Sequence, residues 1–157
     1  MIEPEIAFGD IFDVMSLAED YLKYVLRYVM DNNKDDLEFF DLRVKKGIQE
    51  YLKKIVETPF ARLTYTEVID ELLKAIQSGV KFDNPVEWGV DLASEHERYI
   101  AEKKVKGPVM VYNYPKKIKA FYMRVNEDDK TVAAVDILFP DVNIFIVYQN
   151  ILIKKIK

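Results

Sequence analysis

Gly107-Pro108-Val109-Met110-Val111-Tyr112-Asn113-Tyr114-Pro115 runs into Lys116-Lys117-Ile118-Lys119-Ala120-Phe121-Tyr122-Met123-Arg124. A polar turn, Asn126-Glu127-Asp128-Asp129-Lys130, then leads to Thr131-Val132-Ala133-Ala134-Val135-Asp136-Ile137-Leu138. Gly107-Pro108 ends whatever precedes it, because neither residue continues a helix well. Val109 to Tyr112 is an unbroken apolar run, the pattern of a strand buried on both faces. Lys119 to Val125 and Thr131 to Leu138 read as two arms of a hairpin closed by the polar turn. Everything N-terminal to this region reads mainly as helix. Helices first and strands last predict an α+β fold with an antiparallel sheet.

Working outward, Ser94 and Glu97 have the spacing of a capping box that opens a helix to about Lys104. Residues 80–93 read as a loop holding Asn84-Pro85 and the only tryptophan, Trp88. Thr64 and Glu67 form another capping box, for a helix through Ile76 that Gly79 stops. A short strand is expected near Arg62-Leu63. Ile11, Val14, Met15, Ala18, Tyr21, Leu22, Val25, Tyr28 and Val29 recur at helical spacing, so a long amphipathic helix is expected to about Met30. Gly9-Asp10 breaks and caps its start, and Asp31-Asn32-Asn33 ends it. Tyr21, Tyr24 and Tyr28 lie near one stripe and read as packing. Asp35 to Val56 reads as one or two helices divided at Gly47, with Leu37, Phe40, Val44, Ile48, Leu52 and Ile55 inward. Ile2 to Phe8 is short and apolar, and Pro4 restricts it to an edge or a strand start.

The 157 residues allow one domain. Half are apolar and 13% aromatic, enough for a core, so wholesale disorder is excluded. Lys+Arg 23 against Asp+Glu 27 leaves a net charge of −4, which argues against wrapping nucleic acid by bulk charge. The absence of cysteine excludes disulfides, thiolate zinc sites and thiol catalysis, and one histidine, His96, excludes a His-rich metal site. No apolar run approaches the ~18 residues of a membrane span. The N-terminus lacks a basic n-region and an apolar h-region, so a cytoplasmic location is expected. The sequence contains no Gly-x-x-x-x-Gly-Lys loop, Gly-x-Gly-x-x-Gly or Gly-x-Ser-x-Gly.

Three runs carry the functional signal. They are Pro85-Val86-Glu87-Trp88-Gly89-Val90-Asp91-Leu92 with Ser94-Glu95-His96-Glu97-Arg98-Tyr99, then Tyr112 to Arg124, then Lys130 to Asp136. Together they resemble the catalytic domain of asparaginyl-tRNA synthetases, which are class II aminoacyl-tRNA synthetases. Met1 to Phe8 resembles the second strand of that family's motif 2, and the resemblance covers about residues 1–141. Ala120 favours the asparaginyl branch, since aspartyl relatives usually carry Pro there.

The resemblance implies a class II synthetase-like antiparallel sheet with flanking helices, here incomplete. It implies an ATP- and Mg²⁺-dependent ligase that activates asparagine to its adenylate and passes it to tRNA. Catalysis of this kind rests on positioning and charge stabilisation. By position in the family pattern, Glu3 faces the substrate α-ammonium, and Lys119 and Tyr122 line the asparagine pocket. Asp136 lies near the ATP phosphates and their metal. Glu95, His96 and Arg98 are pocket neighbours, and no residue is given a catalytic role. Each also has a plain structural reading: an exposed strand residue for Glu3, an outward lysine and half-buried tyrosine for Lys119 and Tyr122, a solvent-facing carboxylate for Asp136. Ser94, Glu95 and Glu97 fit a helix start by themselves. Trp88 reads as packing. Lys45-Lys46, Lys53-Lys54 and Lys116-Lys117 could meet RNA phosphates, but solvated lysines are the default.

The pattern also departs from the family. Motif 1, which makes the family's homodimer, has no counterpart, nor do the anticodon-binding domain, the first strand of motif 2 and motif 3. After Val142 the chain diverges. The family's metal-sharing glutamate falls at Ile144 and its substrate-recognising arginine at Ile151. The tail 142–157 contains no acidic residue and is rich in residues written with A/T-rich codons. The expectation is a partial gene product whose tail is read out of frame, with exposed sheet edges, marginal stability, weak or no ATP binding and no aminoacylation by itself. Competing readings are a non-catalytic binding or regulatory module derived from a synthetase, and an asparagine synthetase-like relative on the same fold.

Overall fold

The computed structural model describes residues 6–140 and 142–148. The elements are α1 (Ile11–Asn32), α2 (Lys34–Arg43), α3 (Ile48–Glu57), β1 (Ala61–Thr64), α4 (Tyr65–Gln77), α5 (Ser94–Arg98), a π-helix (Tyr99–Val105), β2 (Val109–Pro115), a 3-10 turn (Lys116–Ile118), β3 (Thr131–Phe139) and β4 (Val142–Tyr148). The architecture is α+β. Strands lie in the order β1-β2-β3-β4, with β2–β3 and β3–β4 antiparallel. β1 adds a parallel edge against β2. Parallel neighbours need a crossover, and α4, the following loop and α5 with the π-helix supply it.

The sheet carries helices on both faces. On one face Tyr65, Val68 and Leu72 of α4, with Ile100, pack on Val109, Val111, Val132, Ala134 and Leu138. On the other, Met15 and Ala18 of α1 and Ile55 of α3 pack on Met110, Ala133, Val135 and Ile137. Burial on both faces is why β2 and β3 read as near-continuous apolar runs.

Local signals set the helix ends. Asp10 caps α1, its Oδ1 accepting the Phe12 and Asp13 N–H groups at 2.8 and 3.1 Å. Asp13 closes the box by accepting the Asp10 N–H at 2.8 Å. Thr64 and Glu67 form the second box at the start of α4. Gly47 divides α2 from α3 with φ of 86°, a left-handed value that costs glycine nothing.

Several expectations are corrected. The Lys119–Val125 arm does not form. β4 lines the edge of β3 that this arm would use, β2 lies on the other edge, and Lys116 to Arg124 folds as the 3-10 turn and a β-turn in which Met123 N–H donates to Ala120 O. Only Val125 bridges to Val132. The helix after the loop is capped at Ala93, not at Ser94, and continues past Arg98 as a π-helix. Tyr24, Tyr28, Phe40 and Val44 are exposed, because α1 and α2 each bury only one narrow stripe. Residues 6–9 form a turn, and the rest of the Ile2–Phe8 stretch lies outside the described residues, as does the tail beyond 148.

Candidate active site

The site is built by an irregularity in β2. Alternation sends Val109 and Val111 to the α4 face and Met110 and Tyr112 to the α1 face. Continued alternation would put Tyr114 beside Tyr112. Instead Asn113 adopts φ of 58°, and the register against β3 slips between Tyr112 and Tyr114. This is a β-bulge, which re-aims the side chains that follow it. Tyr114 therefore packs on the α4 face, 1% exposed. Asn126 braces the bulge, its Nδ2 donating to Asn113 Oδ1 at 3.0 Å and to Thr131 Oγ1 at 2.8 Å.

Asp136 shares that face with Val132, Ala134 and Leu138 and is 8% exposed. An isolated carboxylate there would be costly, so it needs a partner. Lys119, just past the 3-10 turn, provides one. Its Nζ donates to Asp136 Oδ2 at 2.9 Å and lies 4.0 Å from the Tyr114 ring centroid. Asp136 Oδ1 and Tyr114 Oη are buried, and neither makes a hydrogen bond of good geometry. Burial, then the Asp136 carboxylate, raises the Tyr114 phenol well above its usual pKa.

Glu97 faces the same group from α5. Burial, then the carboxylates of Asp136 and Asp91, push it up to about 8, against the opposing pull of Lys119. At neutral pH it is mainly the protonated acid, with one O–H to donate and a carbonyl to accept. The cluster thus holds one ammonium, one paired carboxylate and one neutral carboxyl.

The helix start explains how Glu97 comes to face inward. Because Ala93 is the N-cap, the third helical position is His96, whose Nδ1 accepts the Ala93 N–H at 3.1 Å. Its Nε2 faces Asn84 O at 3.3 Å, which fixes the neutral tautomer with the proton on Nε2. Phe82 meets the ring edge-on. Glu95 accepts from Asp83 N–H, Asn84 N–H and Asn84 Nδ2 at 3.0, 2.7 and 2.8 Å. Tyr65 Oη accepts from Gly89 N–H at 3.1 Å and donates to Val90 O, and Trp88 Nε1 donates to Thr66 Oγ1 at 3.1 Å. These bonds hold the loop whose end carries Asp91.

Of the residues singled out in the sequence, Lys119 and Asp136 come together. Tyr122 lies in the β-turn beyond Lys119, 47% exposed, its ring edge-on to Phe121. His96 and Glu95 are engaged with the loop. Arg98 is exposed and faces Glu102. Glu3 lies outside the described residues. The paired lysines at 45–46, 53–54 and 116–117 are exposed. The sequence alone marks neither Tyr114 nor Asp91 as a site residue and makes Glu97 a cap. The signal for Glu97 was its place in the Ser94–Tyr99 run. Nothing in the sequence alone marks the bulge except Asn, a residue that tolerates left-handed backbone. Among the described residues no set of three or more His, Asp or Glu could hold a metal ion, and no helix is long and apolar enough to cross a membrane.

A family profile described as tRNA synthetases class II (D, K and N) matches residues 1–155. The chain is 56% identical over 142 residues to an asparagine–tRNA ligase of Cytophaga hutchinsonii, covering 90% of this chain and 30% of that one. It is 55% identical over 144 residues to the cytoplasmic asparagine–tRNA ligase 3 of Arabidopsis thaliana, covering 90% and 25%. The chain thus spans less than a third of the length of these relatives. Among solved structures, asparaginyl-tRNA synthetase of Pyrococcus horikoshii complexed with asparaginyl-adenylate superposes with a TM-score of 0.68 at 35% identity, over 86% of this chain and 28% of that one. Asparaginyl-tRNA synthetase of Entamoeba histolytica, also in complex with asparaginyl-adenylate, gives 0.65 at 26%, over 86% and 28%.

Proposed function

The chain belongs to the class II tRNA synthetases of the D, K and N group, and from that premise we propose that its residues form part of the active site of an asparagine–tRNA ligase. The reaction is ATP-dependent activation of asparagine followed by transfer to tRNA. The observation that carries the reading is the identity of 55–56% with asparagine–tRNA ligases over 90% of the chain. The three runs that bear the resemblance fold onto one cluster, which supports it.

The cluster suits a zwitterion with a carboxamide side chain. The Lys119 ammonium can meet a substrate carboxylate or carbonyl, with Tyr122 beside it in sequence. A protonated Glu97 both donates and accepts, as a carboxamide does. Glu3 is proposed for the substrate α-ammonium. Glu95, His96 and Arg98 act at one remove, through the loop and the start of α5.

ATP and Mg²⁺ belong to the proposed reaction. Mg²⁺ takes hard oxygen ligands, often one or two carboxylates with phosphate oxygens. Among the described residues a cage of protein groups alone does not fit, and Asp136 fits as a single protein ligand sharing the metal with ATP, since each carboxylate oxygen keeps a lone pair beyond the one given to a protein donor. Bound there, the metal would offset phosphate charge. The family-like unit is proposed to run through residue 141, with 142–157 diverging from the pattern. tRNA, a cytoplasmic location and a homodimer are proposals of the same reading.

The test is a chimera in which residues 1–141 replace the matching segment of the Cytophaga hutchinsonii ligase. Asparagine-dependent ATP–pyrophosphate exchange is expected, and Lys119→Met should abolish it. A folded chimera without exchange contradicts the proposal.

A further inference from the structure

We propose that Tyr114 is a positioning residue for the Lys119–Asp136 pair, delivered to that pair by the left-handed bulge at Asn113. The inference deepens the proposed function and rests on it for the pair's role toward asparagine.

Four observations converge. Without the bulge, alternation would turn Tyr114 to the α1 face, beside Tyr112 and away from Asp136. A non-glycine residue at φ of 58° is uncommon, and here Asn126 spends a side-chain hydrogen bond at 3.0 Å to support it. The Tyr114 ring lies under the Lys119 ammonium at 4.0 Å, within reach of a cation–π attraction. The Tyr114 hydroxyl and Asp136 Oδ1 are the two buried side-chain polar atoms left without a hydrogen bond among the described residues.

A buried carboxylate oxygen and a neighbouring phenol satisfy each other if the phenol donates. Lys119 occupies Oδ2, and the Tyr114 hydroxyl donating to Oδ1 would fix the carboxylate from both sides. The ring also limits where the ammonium can sit. One side chain thereby orients both charges: the ring sets Lys119 and the hydroxyl sets Asp136. A tyrosine kept only for packing would not need its hydroxyl at this place.

The test is nuclear magnetic resonance of the whole chain labelled with ¹³C-lysine, with the Lys119 signal assigned by its loss in Lys119→Arg. Tyr114→Phe keeps the ring and removes the oxygen. It is expected to move the Lys119 side-chain signal and to accelerate exchange of its ammonium protons. Asn113→Gly accepts the left-handed backbone and should leave the signal near its native position. Asn113→Val resists that backbone and should shift it further than Tyr114→Phe does. A Lys119 signal unchanged in Tyr114→Phe overturns the inference. Titrating the same samples with asparagine separates the two proposals. Asparagine should move the Lys119 signal, with an affinity about tenfold weaker in Tyr114→Phe, as expected for one lost charge-assisted hydrogen bond. No response to asparagine in the native chain counts against the proposed function, while the response to Tyr114→Phe still decides the role of Tyr114.

Discussion

Lys119 Nζ stands 2.9 Å from Asp136 Oδ2, and each side chain keeps little more than a tenth of its surface in solvent. The two residues come from different elements, a turn and the centre of β3. Their pairing makes the segment after β2 part of a site, not merely a connection.

Lys119→Met should leave Asp136 as an unpaired buried charge. Breaking a buried pair from one side costs about 3–5 kcal/mol. Urea denaturation at pH 7 should show a loss of that size, and adding Asp136→Leu should recover most of it. A loss below about 1 kcal/mol would mean that the pair behaves as a solvated surface bridge.

Glu97 gives the fold a pH dependence of definite sign. Its native value of about 8 lies above the ordinary 4.5, so between these values the native state binds more protons than the unfolded state. Stability from this group is greatest below 4.5, falls as pH rises to about 8, and is flat beyond. Glu97→Gln should flatten that fall and raise the melting temperature at pH 8 to 9 relative to native protein. Parallel melting profiles for the two proteins from pH 5 to 9 would refute the assignment.

His96 holds the 80–93 loop through both ring nitrogens and is 1% exposed. His96→Phe keeps an edge contact to Phe82 and loses both polar contacts. Leaving the Ala93 N–H and Asn84 carbonyl without these partners should cost about 1–3 kcal/mol. Limited proteolysis should then cut within the loop faster than in native protein. Unchanged cleavage would show that Glu95 and Tyr65 secure the loop without His96.

Thr64→Ala should destabilise by about 1 kcal/mol, the usual worth of an N-cap. Thr64 Oγ1 accepts the Glu67 N–H at 3.2 Å, and Glu67 accepts the Thr64 N–H at 2.7 Å. Chemical denaturation of the two proteins checks this directly.

Much of the helical layer was legible because its signals are local. Asp10, Gly47, Thr64 with Glu67, and Gly79 punctuate the chain through their own side-chain or backbone chemistry. The loop and the apolar character of β2 and β3 were legible too. Pairing was not, because it depends on which distant segments line each edge of β3. Val109–Pro115 pairs along one edge of β3, while on the other edge β4 supplies most of the pairing and Lys119–Val125 keeps only the Val125 bridge. The start of α5 was misplaced by one residue because His96 serves as an acceptor toward Ala93, a role usually filled by Glu or Gln. That single-residue shift is what turned Glu97 from a cap into a site residue. Lys119 and Asp136 were named from the family pattern, but their contact was not. Tyr114 escaped notice because alternation alone assigns it to the wrong face of the sheet.

The most direct test of the central claim, that this cluster receives asparagine, is calorimetric titration of the purified chain with asparagine and with aspartate. The account predicts binding of asparagine, weaker binding of aspartate, and loss of both in folded Lys119→Met. Equal binding of the two amino acids, or asparagine binding that survives in Lys119→Met, would contradict it.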